Sequence, residues 1–446
     1  MAPDQKCRIV CSIMVLLLIM TACADRDSVE KAGRELAGTV RVYLYQDDFF
    51  SVPDYDDALA AFRAQQPALT VQTTVFHDQK ELASLLLQDL EAGTPPDVVL
   101  CNSYGGTDVY RLFAEGFLTD LTPYLERDGG FSVSAYYAAA LDACRMERTT
   151  FALPLSLSPA LLLSSEERLA DAGLNWDGAY TANERLSRLT SFVSDALAAD
   201  PNASPYMAFP NDTNLSNAFL HPFGLSLADH AAQTAALPPE AELQACLDWF
   251  LAADAGSMNG WQAGFVQQVR GLNSKWNALC RNVTLAQPST LPDAEDYRQF
   301  DAAYTMLGET MRVLAIPTFA DPSTYAATVT ACGVLPAGAS NPDAGYALLR
   351  SLLDWPESVG FGFPVRKEAT QAVLSEIDRP YTAQLESIFD NLGTAYLYES
   401  WLMENDLYAY VQDSAYAKTG ENFAGLAASL ASRVNHYLTT EAWQGR

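Results

Sequence analysis

Residues Gly93 to Leu125 read GTPPDVVLCNSYGGTDVYRLFAEGFLTDLTPYL. Within them, Val98 to Cys101 is a short apolar run bounded by Pro96 on one side and Asn102-Ser103 on the other. A strand buried on both faces of a parallel sheet has that continuous apolar character. A Gly-containing loop follows, then a helix expected from about Asp108 to Glu115. Thr107 or Asp108 would cap its start, and Gly116 stands at the left-handed position past its end. Open parallel sheets bind ligands beyond the carboxyl ends of their strands. Asn102, Ser103, Tyr104 and Asp108 fall at that end, so this loop is expected to form one wall of a cleft.

Upstream, Val40 to Tyr45 alternates and is rich in β-formers, which predicts the first strand. Its end, Gln46-Asp47-Asp48-Phe49, is a second candidate cleft loop. Neighbouring side chains on extended backbone point opposite ways, so Asp47 and Asp48 make a poor glycosidase pair. Each is either a single carboxylate accepting hydrogen bonds from ligand hydroxyls or a solvated turn residue. Asp54 to Gln66 places Tyr55, Leu59 and Phe62 on one face and stops at Pro67, an amphipathic helix. Leu69 to Phe76 alternates as a strand, and Asp78 with Glu81 opens a helix that ends near Gly93. The order βαβαβα begins a doubly wound α/β lobe.

Downstream, Ser134 to Arg145 reads as helix and Thr150 to Ser158 as an extended segment containing a Pro. Glu184 to Ala199 and Glu240 to Ala253 are helical, with Trp249 on an apolar face and so in the core. Asn202 to Asn217 is a Pro- and Asn-rich loop. Asp212, Asn214 and Ser216 have the spacing that opens an EF-hand loop. The sixth and twelfth places lack Gly and Glu, so no metal is expected there.

The chain has 446 residues, with 49% hydrophobic and 18% charged, which is globular and long enough for two or three domains. Its formal charge is −28, and residues 1–22 contribute +1, so the remainder is near −29. Such a surface repels phosphate backbones, so no nucleic-acid partner is expected. Lys6 and Arg8 precede an apolar run from Ile9 to Met20, followed by Thr21-Ala22-Cys23. That run has the length of a signal-peptide core, too short to span a bilayer. Of eight Cys, Cys7 and Cys11 lie in this segment. Beyond Cys23 remain Cys101, Cys144, Cys246, Cys280 and Cys332, an odd number with no short spacing, which argues against a disulfide framework or zinc site.

Several of these stretches together resemble the extracellular solute-binding proteins of carbohydrate ABC transporters (family 1 type). The strand G-x-x-PDVV, the helix LFAEGFL and then DLTPYL carry the likeness first. LGETMRVLAIPTFADPSTY, ending at Tyr325, is similar to the family's short turn, strand and ligand-facing aromatic loop. It nominates Phe319, with Asp321 and Tyr325 nearby. From Cys332, CGVLPAGASNPDAGYALLRSLLDWPESVGFGFPVRKEA matches the family's strand, its NP-x-x-A helix start and its PVRK, although WPES departs from the usual turn. The extended segment from Thr150 resembles the first crossing between lobes, where Ser156 either borders the cleft or is a buried strand serine. Tyr396 to Trp401 and Phe423 to Tyr437 fit C-terminal helices, the first of which lends an aromatic, Trp401, to the cleft in this family. Ala22-Cys23 resembles a bacterial lipobox, with Met20 in place of the usual Leu, and implies diacylglycerol attachment at Cys23.

The resemblance implies a periplasmic-binding-protein-like α/β fold, two doubly wound lobes joined by a hinge with the ligand cleft between them. Residues 1–22 would be the signal peptide and 23–37 a lipid-anchored tether. Lobe 1 would take 38–152 plus 333–375, and lobe 2 would take 153–332 plus 376–446. The implied protein is a monomeric binding component without cofactor or metal. It would hold a small-molecule solute at the outer face of a bacterial cytoplasmic membrane and deliver it to permease subunits.

No G-x-S-x-G elbow, Walker A loop, glycine dinucleotide fingerprint or H-E-x-x-H occurs, and His77, His221, His230 and His436 are widely spaced, so no catalytic residue is expected. Two other readings stay open. Thiamine-cleaving transferases share such a fold but use a cleft Cys, where this chain has Ser156 and Ser158; Cys101 is the one Cys at a strand end. A surface interaction lipoprotein without small ligand is the other. The 21 Tyr, 20 Phe and 7 Trp favour a carbohydrate, an oligosaccharide, because sugar C–H faces lie on aromatic rings while hydroxyls seek carboxylates and amides. Candidate rims combining both kinds are Gln46, Asp47, Asp48 and Phe49; Asn102, Tyr104 and Asp108; Trp261; Phe319 and Asp321; and Trp401.

Overall fold

A computed structural model describes residues 36–46, 55–102, 107–171, 173, 175, 180–199, 206–207, 215–255, 279–281, 301–302, 304–305, 308–357, 359, 362–377 and 379–439. The first α/β unit runs β1 (Gly38–Tyr45), α1 (Asp56–Gln65), β2 (Leu69–Phe76), α2 (Gln79–Glu91), β3 (Val98–Asn102) and α3 (Val109–Ala114). β1 pairs parallel with β2 on one side and with β3 on the other, Val42 lying opposite Val98. The apolar run Val98 to Cys101 is buried along its whole length, as a strand covered on both faces must be. Local chemistry sets the boundaries. Asp78 accepts hydrogen bonds from the amides of Lys80 and Glu81, and Asp108 caps α3 through the Arg111 amide at 2.9 Å. Gly116 has φ of 77°, the left-handed conformation that ends the helix.

After this unit the chain passes between two sheets. β4 (Leu153–Pro159) lies in the large sheet, and β5 (Leu161–Ser165), only Ala160 away, lies in a small one. Then come α4 (Ala182–Ala199), β6 (Tyr206–Met207), α5 (Glu240–Ala255), β7 (Leu279–Arg281) and β8 (Met311–Ala315). The small sheet has the order β8-β5-β7-β6. The chain returns through β9 (Tyr325–Val334), α6 (Pro342–Leu353) and β10 (Phe363–Pro364), and then runs through α7 (Thr382–Asp390), β11 (Leu392–Leu397), α8 (Trp401–Asp413) and α9 (Phe423–Thr439). The seven-stranded sheet has the order β10-β4-β9-β3-β1-β2, with β11 also beside β9.

β9 is the long member that ties the architecture together. Its first half pairs parallel with β11, and its second half runs antiparallel to β3 and β4. The large sheet is therefore mixed, because β9 re-enters it from the far side. The stretch from Tyr396, expected to be helical, closes β11, and the helix starts at Trp401. Ser134 to Arg145 holds α-helix only from Ala138 to Ala143.

Two contacts explain motifs that are otherwise only a pattern. Asp97, the Asp of PDVV, is fully buried and accepts from the amide of Arg41 at 2.8 Å, the amide of Asn341 at 2.7 Å and the hydroxyl of Ser340 at 2.9 Å. It thereby fastens the start of α6 to the sheet, and its charge is favourable at a helix N-terminus. Gly333 in β9 faces α6 so closely that a Cβ there would stand 2.2 Å from Leu349 Cδ2. The absent side chain lets the helix seat on the strand.

Candidate functional site

The carboxyl ends of β1 and β3 and the start of α3 meet at one end of the large sheet. Gln46 is exposed there, its amide donating to Phe76 O at 2.8 Å, and Asn102 Nδ2 reaches Tyr45 O at 3.4 Å. Asp108 joins them at the α3 N-terminus, half-buried. Asp47, Asp48, Phe49, Ser103, Tyr104 and Trp261 lie outside the described residues, and so does the side chain of Trp401. Ser156 is fully buried and hydrogen-bonds Thr330 Oγ1 at 2.8 Å within the sheet. Phe319 packs on Phe223 at 5.9 Å, Asp321 is exposed and organises the turn to Ser323, and Tyr325 is half-buried at the start of β9.

What gathers around Asp108 was not foreseen from sequence. Its Oδ2 accepts from the Tyr437 phenol at 2.9 Å, bringing α9 against α3. Next to it, Glu399 is 4% exposed and stands between two histidines, 2.9 Å from His230 Nε2 and 3.8 Å from His221 Nε2. Each imidazole lies flat on a tyrosine: His230 on Tyr110 with centroids 3.8 Å apart, His221 on Tyr396 at 4.2 Å. The Glu399 amide donates to Asn217 Oδ1, and Glu404, one turn into α8, accepts from the Ser216 amide at 2.7 Å. Arg111 of α3 donates to Gln233 Oε1 at 2.8 Å and pairs with Glu115. The seam thus joins α3, the segment 216–235, the β11–α8 link and α9.

Burial and neighbouring charge sort the protons. Burial pushes the Glu404 carboxyl up to about 8, and Glu399 adds to that shift while the Ser216 contacts oppose it. Burial likewise pulls His221 down to about 4, against the attraction of Glu399. Burial also disfavours charge on His230 and Glu399. Their mutual attraction outweighs it, so His230 is raised and Glu399 lowered. Burial raises Asp108, and the pull of Arg111 N–H, His230 and Tyr437 only partly offsets it. The seam therefore favours the ion pair of His230 with Glu399, beside a His221 that burial holds neutral and a Glu404 that burial keeps protonated at neutral pH.

Tyr437 also lines a groove of about 690 Å³ between α8 and α9. Arg433 is held there by both oxygens of Asp406 at 2.7 Å and lies over the Tyr410 ring at 4.1 Å. With Ser429, Ser432 and His436 beside it, the groove offers an aromatic face edged by donors and acceptors. Among the described residues no cluster of His, Cys, Asp or Glu is arranged to hold a metal ion, and no helix is long and apolar enough to cross a membrane. Cys101 is 3% exposed, and its thiol is pushed well above the usual range by the Cys332 contact and burial, the reverse of what a thiolate nucleophile needs.

No family model matches the chain, and no curated protein matches its sequence. Solved structures do match its fold. The sugar-binding protein MalE of Xanthomonas citri is similar over 91% of this chain and 98% of its own, with 16% identity and a TM-score of 0.65. The galacto-N-biose/lacto-N-biose I-binding protein of a Bifidobacterium longum ABC transporter, in complex with lacto-N-biose, is similar over 92% and 98%, with 13% identity and a TM-score of 0.61. The ABC substrate-binding protein Lmo0181 of Listeria monocytogenes, in complex with cycloalternan, is similar over 90% and 99%, with 16% identity and a TM-score of 0.58. The fold is that of the two-lobed, MalE-like solute-binding proteins.

Proposed function

We propose that this chain is the substrate-binding lipoprotein of an ABC importer, taking up a carbohydrate, an oligosaccharide, between its lobes and presenting it to permease subunits. It binds its ligand and performs no turnover. The observation that carries this is the fold, matched over about nine-tenths of the chain by binding proteins whose named ligands are sugars. Local chemistry agrees: amide and carboxylate groups from Gln46, Asn102 and Asp108 collect where open α/β sheets hold ligands. Asp47, Asp48, Phe49, Ser103, Tyr104, Trp261 and Trp401 are proposed to complete the rim, and Phe319, Asp321 and Tyr325 to approach it from the β8–β9 connection. Cys23 carries the lipid that holds the monomer at the outer face of the membrane. A thermal-shift screen across sugars, polyols, peptides and thiamine tests the ligand class, because a ligand that binds only the native state raises its melting temperature. At least one oligosaccharide should raise it; a hit confined to peptides, or none with any sugar, would overturn the assignment. Labelling with a palmitate analogue should disappear in Cys23→Ala, and equal labelling would remove the anchor.

A further inference from the structure

Cys101 of β3 and Cys332 of β9 meet inside the large sheet. The antiparallel register sets Cys332 directly opposite Cys101, with Ala331 opposite Asn102 and Gly333 opposite Leu100 on either side. Directly opposed residues of an antiparallel pair send their side chains to the same face. Their Cα atoms stand about 4.5 or about 5.5 Å apart, and disulfides bridge roughly 4.4 to 6.8 Å, so the backbone already has the span of a bridge. The Cβ atoms need to close by about 1 Å at most. Both residues are free thiols, each is 3% exposed, and the two side chains share a hydrogen bond. About 230 residues of sequence separate them, so no short spacing announces the pair.

We propose that Cys101 and Cys332 form a cross-strand disulfide. Two S–H bonds break and one S–S bond forms, and two electrons and two protons pass to a small disulfide oxidant, whose own S–S bond opens to two thiols. Such exchange needs a thiolate and a path to it. Burial denies both in the folded chain, where the Cys101 thiol is held well above its usual range. The bond therefore forms as the chain folds, before the sheet closes over it, and once enclosed it resists reduction. It staples β3 of the first α/β unit to β9, the strand on which the chain returns from the small sheet, one residue before Asn102. Cys144 is the rival partner, fully buried and near enough to Cys332 to interact with it, but it follows the short helix Ala138–Ala143 and lies in no strand opposite β9. Formation in the cell rests on the location outside the cytoplasmic membrane proposed above, where disulfides persist; formation in vitro does not.

The test is to refold the full chain from denaturant in mixed reduced and oxidised glutathione, block the remaining thiols by alkylation, and map tryptic peptides without reduction. Glu81–Arg111 should be found joined to Val313–Arg350, two hydrogens lighter than the separate peptides together, and the two should part on reduction. Cys144→Ala should keep this link, and Cys101→Ala should lose it. The oxidised wild type should melt about 5 °C or more above the reduced one, whereas Cys101→Ala should melt at the same temperature with and without reductant. Circular dichroism confirms that the chains have refolded. Finding Cys101 and Cys332 both alkylated in a chain refolded under oxidising conditions, or Cys332 joined to Cys144 instead, would overturn the pair. The wild-type map decides this alone, whether or not a variant folds. Because the oxidant is supplied in the tube, neither result bears on sugar binding or location, which are read by thermal shift and lipid labelling.

Discussion

Replacing Glu404 by Gln should make the protein more stable above about pH 5, by an amount that grows with pH. Glu404 is fully buried, and in the folded chain its carboxyl titrates at about 8, against 4.5 for an unperturbed Glu. Between those values the native state holds a proton that the unfolded state has released, so stability must fall as pH rises. At about 1.4 kcal/mol per pH unit the loss reaches on the order of 4 kcal/mol by pH 9. Gln has the same shape, keeps an acceptor oxygen for the Ser216 amide, and offers an N–H where the protonated acid offers O–H. Wild type and Glu404→Gln should therefore have similar urea midpoints near pH 5 and diverge steadily above it. Comparing the pair cancels the slopes contributed by His221, His230, Asp108 and Glu399. A stability difference that stays flat from pH 5 to 9, or a wild type that is the more stable at pH 9, would refute the placement of Glu404 as a buried, proton-bearing acid.

His221 has the opposite sign. Its folded value of about 4 lies below the ordinary 6.5, so its contribution is present above pH 6.5 and is lost on acidification towards pH 4; His221→Gln should flatten that limb in a pH series of melting curves. Glu399→Gln keeps an acceptor for His230 but removes the charge, so the His230 titration followed by NMR should move down, at a stability cost of about 2 kcal/mol. An unmoved His230 titration would remove the ion pair. Asp97→Ala leaves the amides of Arg41 and Asn341 without their acceptor and should cost about 3 kcal/mol by chemical denaturation. Gly333→Ala should cost about 1–3 kcal/mol through the clash with Leu349, and much of it should return in the double variant with Leu349→Ala.

The first α/β unit was legible because its signals are local. A continuous apolar run made β3, Asp108 capped α3, Gly116 ended it, and Asp78 opened α2, each within a few residues of the element it controls. Where structure depends on remote partners, the same reading failed. Leu392 to Leu397 is a strand because β9 offers it an edge, and nothing in LGTAYL separates it from the helix that follows. Two-residue strands such as β6 and β10 carry no periodicity at all. The motifs PDVV and SNPDA were recognisable only as a likeness, yet they are two halves of one contact, 244 residues apart, made by Asp97 with the Asn341 amide.

The seam around Glu399 was illegible for the same reason, and it bears on how the lobes can move. His221, His230, Glu399, Glu404 and Tyr437 read singly as ordinary core or surface residues; only packing places two imidazoles against one carboxylate. Separating Glu399 from His230 would leave a buried carboxylate facing a neutral histidine, a loss that the low-dielectric interior magnifies unless water follows it in. The crossings elsewhere are single backbones: Ala160 between β4 and β5, and residues 316–324 between β8 and β9. Hinge motion of a two-lobed protein is absorbed by a few such connecting residues. A rotation of the two sheets would cost less at those two connections than across the β11–α8 seam.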